Sequence, residues 1–135
     1  MTKTTVVSII MRVVLGIIFL AHGISKLQMG LSNVDAYFSS MGVHGFMAYV
    51  VAILETVGGI MLIIGLFTRY VSGLFVIMLI GAIFTMKLSV GLIGAESAGY
   101  ELDLGFILVS LYLAVANPKE LSIDQLITNK KTRSE

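Results

Sequence analysis

The sequence predicts an all-α membrane protein, a four-transmembrane-helix bundle with short amphipathic interfacial helices. Three observations predict it. Hydrophobic residues fill 57% of the 135 positions and charged residues only 13%, against about 25% charged in an average soluble domain, which is too few to cover a water-facing surface. Four apolar stretches stand out, roughly Val6–Leu27, Phe46–Phe67, Tyr70–Val90 and Leu102–Ala116, the last reaching 100–117 if Tyr100 and Asn117 extend it. Each is near the roughly 20 residues that a helix needs to cross about 30 Å of hydrocarbon. The runs are near-continuous and lack a two-residue alternation, which argues against membrane strands.

The first stretch follows Lys3 and has a weak cleavage-like site at Leu20-Ala21-His22-Gly23. Arg12 interrupts its apolar run and three further spans follow, so it reads as a retained helix and not a signal peptide. Between the first two spans, Val34, Tyr37, Phe38 and Met41 fall at helical spacing, and Ser32 with Asp35 resembles a capping box. A short helix lying on the outer surface is expected there. Thr68-Arg69 is expected as a tight turn that makes spans two and three antiparallel neighbours. After Pro118, Ser122 and Gln125 form a better capping box, with Leu121 and Leu126 at the positions of a hydrophobic staple. The tail 118–135 is thus an interfacial helix followed by Lys130, Lys131 and Arg133 beside anionic lipid. Gly16 and Gly23 in the first span, and Gly58 and Gly65 in the second, repeat at heptad spacing and permit close helix approach.

Lysine and arginine near the span ends set the orientation. Lys3, Arg12, Arg69, Lys119, Lys130, Lys131 and Arg133 share one side, against Lys26 and Lys87 on the other, so both termini are expected in the cytoplasm of a multi-pass cell-membrane protein. The whole chain, 1–135, reads as a single domain. A net charge of +1 and the lack of any basic run before Lys130 exclude a nucleic-acid surface. With no cysteine, the chain's own side chains supply no disulfide, thiolate ligand or thiol redox couple.

Ionisable groups at bilayer depth cost at least about 2.5–3.5 kcal/mol each. Arg12, two turns into the first span, either snorkels or joins an internal ion pair. Glu55, near mid-bilayer in span two, is too short to snorkel and faces inward, either protonated by burial or paired with Arg12 or His22. His22 and Lys26 stand four residues apart on one helix face, in a broad inward stripe with Arg12. Lys87, Glu101 and Asp103 reach the same outer layer, and of the two acids, about 200° apart on the helix, Glu101 is expected to point inward. This polar cluster reads either as a site or as a network that ties the helix ends together. With only two histidines and no carboxylate at ligand spacing to His22, no metal site is expected.

Three stretches carry a family resemblance: Arg12–Lys26 (RVVLGIIFLAHGISK), Glu55–Arg69 (ETVGGIMLIIGLFTR), and Tyr100–Asp103 with Asn117-Pro118 and Leu121–Asp124. In order and spacing the chain resembles the DoxX family of small four-span bacterial membrane proteins, over nearly its whole length. That family includes DoxD-like subunits of thiosulfate:quinone oxidoreductase and CatD-type proteins linked with catechol tolerance, to which this chain looks most similar in length and second span. The resemblance implies a membrane oxidoreductase or a component of one, and Arg12, His22, Lys26, Glu55, Arg69 and Glu101 are the positions that match. Relatives have a proline in the loop entering span two and a Gly-Pro after span four, where this chain has His44 and Asn117-Pro118.

Two functions follow as expectations. In the first, a quinone or small phenolic or sulfur compound enters from the bilayer, His22 and Lys26 bond its oxygens, and Glu55 or Glu101 exchanges protons. No flavin, nicotinamide or haem fingerprint is present, so the cofactor is unknown, a quinone being one candidate, and the electron acceptor comes from a redox partner in a homo- or hetero-oligomer. In the second, the protein is an assembly subunit or small transporter whose polar groups, with Arg12, Arg69, Lys87 and Asp103, hold helices together or line a path.

Overall fold

A computed structural model describes residues 2–40, 45–87, 91–93 and 99–134 of the chain, and helices are the regular structure among them, joined by short turns. The helices are α1 (Lys3–Met29), α2 (Leu31–Ser40), α3 (Phe46–Ile64), α4 (Thr68–Ala82), which continues as a π-helical turn over Ile83–Lys87, α5 (Glu101–Ala116) and α6 (Ile123–Ser134). Met41, His44 and residues 88–90 lie outside the described residues, as do the side chains of Val34, Phe38, Lys87 and Arg133.

Lys3–Met29, Phe46–Ile64 and Thr68–Thr85 are long and apolar enough to cross a membrane. Their exteriors agree: Ile10, Ile17, Ile53 and Ile77 are all more than half exposed, while the fully buried set includes Arg12, Thr68, Ser72 and Ser110. That inversion suits a hydrocarbon solvent and not water. α5 has 16 residues, so at about 1.5 Å per residue it falls short of the roughly 30 Å of the hydrocarbon layer.

The closest packing joins α1 to α3, and glycines permit it. A Cβ at Gly16 would stand 2.7 Å from the Gly59 carbonyl oxygen, and one at Gly59 would stand 2.7 Å from Leu20 N; Gly23 lies against Thr56 in the same way. Gly58 does not face α1. A Cβ there would meet Phe75 of α4 at 2.7 Å. The heptad pair Gly58 and Gly65 thus meets Phe75 and Ser122, while α1 packs on Gly59 and Thr56, because adjacent residues differ by about 100° on a helix and α3 sits between α1 and α4 with one glycine for each. The core fills in around Leu15, Phe19, Leu62, Val71, Phe75, Leu79 and Leu113. Phe19 stacks on Phe75 at 4.1 Å between ring centroids and meets Phe106 at 5.6 Å.

The turn between α3 and α4 lies one step earlier than the sequence suggests. Gly65 (φ 73) and Phe67 (φ 51) take left-handed conformations and close α3, so Thr68-Arg69 opens α4. Asn117 (φ 46) ends α5 in the same conformation, which only glycine and, to a lesser degree, asparagine adopt readily. Asn117 therefore does here what a glycine commonly does at the end of a helix.

At the α1–α2 junction, Gly30 (φ 89) permits the bend. α2 starts at Leu31, which places Ser32 inside the helix, so the expected Ser32–Asp35 box is not formed. Asp35 accepts from Ser39 Oγ at 3.2 Å instead. The second box is formed: the backbone N–H of Gln125 donates to Ser122 Oγ at 3.1 Å, and Gln125 Oε1 accepts from Leu121 N at 3.2 Å. The staple positions Leu121 and Leu126 are both exposed.

Candidate functional site

Two groups of polar side chains stand at opposite ends of the bundle. At the end that holds the start of α1 and all of α6, Arg12 is 1% exposed and donates to the carbonyls of Leu121 (2.8 Å), Glu120 (3.2 Å) and Pro118 (3.5 Å). It neither snorkels nor pairs with a buried carboxylate. The planar guanidinium carries five donors, and the turn that follows α5 offers carbonyls with no helical partner. Asp124 completes the joint: its carboxylate accepts from the N–H groups of Phe67 (2.9 Å) and Thr68 (3.3 Å) at the start of α4, and its own N–H donates to the Gly65 carbonyl (3.1 Å). Ser8 and Tyr112 bond at 2.5 Å beside it. Arg69, exposed, donates from Nε to the Ala114 carbonyl at 3.1 Å and ties α4 to the end of α5.

At the far end, Lys26 Nζ donates to Glu55 Oε2 at 2.7 Å, with side chains 19% and 8% exposed. Glu55 stands midway along α3, one residue from Thr56, whose hydroxyl is turned back to the Ala52 carbonyl at 2.7 Å. The close α1–α3 approach at Gly23 sets the distance that the long lysine stem then spans. Glu55 thus has Lys26 as its partner, not Arg12 or His22. Arg12 is excluded by its place at the other end, and His22 by its direction: its ring is exposed, with Nδ1 bonded to the Ile18 carbonyl at 2.8 Å. A carbonyl only accepts, so Nδ1 carries the hydrogen and Nε2 of the neutral ring presents a lone pair.

The expectation for the acidic pair on α5 is reversed. Glu101 is exposed and Asp103 is 6% exposed. Glu101 is the first residue of α5, at its loose end, whereas Asp103 lies seven residues before the fully buried Ser110 and shares its inward face. The heptad from Asp103 to Ser110 was the signal that could have chosen between the two acids. Of the four residues expected to carry chemistry, the fold joins Lys26 with Glu55, leaves His22 at the rim one turn away, and puts Glu101 on the exposed face of α5. Asp124, which no spacing pointed to, proves to be a main tie of the opposite end.

Comparisons with known proteins agree with this architecture. Residues 7–88 match the DoxX family profile, a stretch that contains Arg12, His22, Lys26, Glu55 and Arg69. The chain is 40% identical over 124 residues, 92% of its length and 89% of the relative's, to the Bacillus subtilis (strain 168) protein named "Putative oxidoreductase CatD". It is 30% identical over 125 residues to the Escherichia coli (strain K12) "Inner membrane protein YqjF", covering 90% and 92% of the two chains. It is 27% identical over 135 residues to the Mycobacterium tuberculosis (strain ATCC 25618 / H37Rv) "Uncharacterized membrane protein Rv3486", covering 92% and 83%. No solved structure matches the chain. With apolar helices long enough to span a bilayer, membrane proteins among its relatives and the family's profile over more than half its length, this chain belongs to the DoxX family of membrane proteins.

Proposed function

We propose that the protein is a membrane oxidoreductase, or the membrane subunit of one, that acts on a quinone or a small phenolic or sulfur compound. The observation that carries this reading is the Lys26–Glu55 pair at 2.7 Å, set in apolar helices and bonded side chain to side chain. In the resting pair the two charges offset each other, and the Glu55 carboxylate can accept a proton while the Lys26 ammonium can release one. Oxidation of a diphenol to a quinone releases two protons and two electrons. Glu55, with Lys26 beside it, is the acceptor for a proton, His22 Nε2 is the second basic atom nearby, and Glu101 stands at the outer mouth. The electrons pass to an electron-accepting partner protein, since this chain has no cysteine and no flavin, nicotinamide or haem motif. A relative named as an oxidoreductase supports the reaction class.

In this reading the chain is one domain with four spans. α5, lengthened by Tyr100 and Asn117, is the fourth, both termini are cytoplasmic by the lysine and arginine distribution, and α2 and α6 lie at the two interfaces. The protein works as a homo- or hetero-oligomer with its redox partner.

A second reading has one observation in its favour. The pair bridges α1 and α3 where they already pack most closely, as a contact of a purely structural assembly subunit would. Glu55→Gln and Lys26→Gln separate the two. Under the oxidoreductase reading both variants, destabilised by loss of one partner, still stay in the membrane at reduced abundance and lose at least about tenfold in diphenol oxidation per folded molecule, measured with the native partner proteins present. Disappearance of both variants from the membrane, or unchanged oxidation, sinks it.

A further inference from the structure

Helical hydroxyls in this protein are satisfied in two different ways. Ser8, Thr56 and Thr85 turn back onto the carbonyl four residues earlier, at 2.8, 2.7 and 2.7 Å, the ordinary recourse of a serine or threonine in a helix. Thr68, Ser72 and Ser110 do not. Each is 0% exposed, and none of their hydroxyl oxygens has a hydrogen-bond partner among the described residues. Buried polar groups are paired with protein or with ordered water, and an unpaired one is costly.

The three hydroxyls belong to one seam, between α4 and α5. Thr68 and Ser72 are four residues apart and share a side of α4. Around that helix, Val71 lies against Gly58 of α3, and Arg69 reaches α5 by donating from Nε to the Ala114 carbonyl at 3.1 Å. Ser72 falls between those two directions, about 100° from Val71 and about 60° from Arg69. On α5, Tyr112 reaches Ser8 of α1. Ser110 stands about 160° away from Tyr112, on the side turned to α4, the helix most closely packed on α5.

Heights agree as well. One turn beyond the Arg69–Ala114 contact come Ser72 on α4 and Ser110 on α5, and one turn beyond them come Phe75 and Phe106, which both pack on Phe19. The two serines are therefore bracketed by a contact below and an aromatic layer above. Gly73 supplies room beside them. It is half-buried, about 40° round α4 from Arg69, and a Cβ there would meet nothing within 4 Å. Arg69, one turn nearer the Arg12 end, is exposed, so this space adjoins the aqueous layer at that end.

We propose that the α4–α5 seam is a binding site for a small cluster of water molecules, which enter beside Arg69 and are held by the hydroxyls of Thr68, Ser72 and Ser110. The chemistry of the seam suits this ligand. A bound water makes about three hydrogen bonds, and each hydroxyl can both donate and accept. Phe19, Phe75 and Phe106 close the site on its far side. The cluster is thus a hydrated dead end that stops about two turns short of Lys26, and it stands independently of the function proposed above.

The test is water-edited solid-state NMR of the full-length protein in lipid nanodiscs, with Ser72→Ala and Ser110→Ala used to assign the two serine signals. Magnetisation from water is expected to reach Ser72 and Ser110 at about half the rate seen for exposed Thr2 or faster, and to reach the equally buried Leu62 and Leu113 at less than about a tenth of it. Gly73→Leu fills the space and should cut the transfer to both serines at least about twofold, with Thr2 unchanged. Stability gives a separate reading. Loss of a hydroxyl that holds water lowers the folding equilibrium constant about fivefold, whereas loss of one left against apolar groups raises it. Transfer to the serines as slow as to Leu62, undiminished transfer in Gly73→Leu, or alanine variants more stable than wild type would each overturn the water site.

Discussion

The two ends of the bundle treat buried charge in opposite ways. At one end Arg12 spends its donors on three backbone carbonyls, and Asp124 spends its oxygens on two backbone N–H groups. At the other, Lys26 and Glu55 have each other, with an exposed histidine one turn away. Backbone partners are fixed by the fold and cannot change protonation state, so the first arrangement is a joint. Side-chain partners can exchange a proton and part, so the second is able to do chemistry. Burial does not separate Arg12 from Glu55, both nearly inaccessible. The identity of the partner does.

Removal of Arg12 is the strongest way to break that contrast. Arg12→Ala leaves three carbonyls of a buried turn without their donor, and an unmet buried polar group costs about 1–3 kcal/mol each. Thermal unfolding in nanodiscs should show a loss of at least about 3 kcal/mol, or no folded protein in the membrane. Arg12→Lys should restore little, since an ammonium lacks the fork that reaches several carbonyls at once. An Arg12→Ala protein as stable as wild type would mean that the joint is ornamental.

Gly59→Ala comes next. Its new methyl would press on backbone atoms, Gly16 O and Leu20 N, both at 2.7 Å, so α1 must move away from α3. Overpacking of this kind costs about 1–3 kcal/mol. Because α1 carries Lys26, the same variant should also lengthen the Lys26–Glu55 contact, which a distance measurement by solid-state NMR would read. A shifted stability with an unchanged contact would show that the two are independent.

The smallest effect on stability, and the sharpest on function, is expected from the double variant Lys26→Met, Glu55→Leu. Breaking a buried pair from one side is costly, while replacement of both partners by apolar groups is often neutral or stabilising. The double variant should therefore fold within about 1 kcal/mol of wild type and have no oxidation activity. Retained activity would move the chemistry away from the pair.

Much of the fold was legible because it rests on composition and length. Three of the spans, the Ser122–Gln125 box and the break before α6 needed only hydropathy and capping chemistry. Helix phase was harder to read. In a lipid-facing helix the apolar residues occur on every side, as Ile17, Ile53 and Ile77 show, so they no longer mark the inward face. The phase must come from the few polar and small residues. Hence the sequence favours Glu101 over Asp103, an error of two residues and so of more than half a turn. The partner of Glu55 was missed for a different reason. Arg12, His22 and Lys26 all lie near one stripe; the relative height of α1 and α3, set at the Gly23–Thr56 contact, excludes Arg12, and the outward direction of its ring excludes His22.

The joint at Arg12 also bears on how the protein is made. The carbonyls that satisfy this arginine lie 106 to 109 residues further along the chain. During synthesis α1 emerges long before the turn that follows α5 exists, and until then its guanidinium must keep to water, headgroups or an insertion factor. Docking of the last segment is what lets the first helix settle. A chain that stops short of Pro118 would thus leave this arginine without any of the carbonyls it meets in the finished fold.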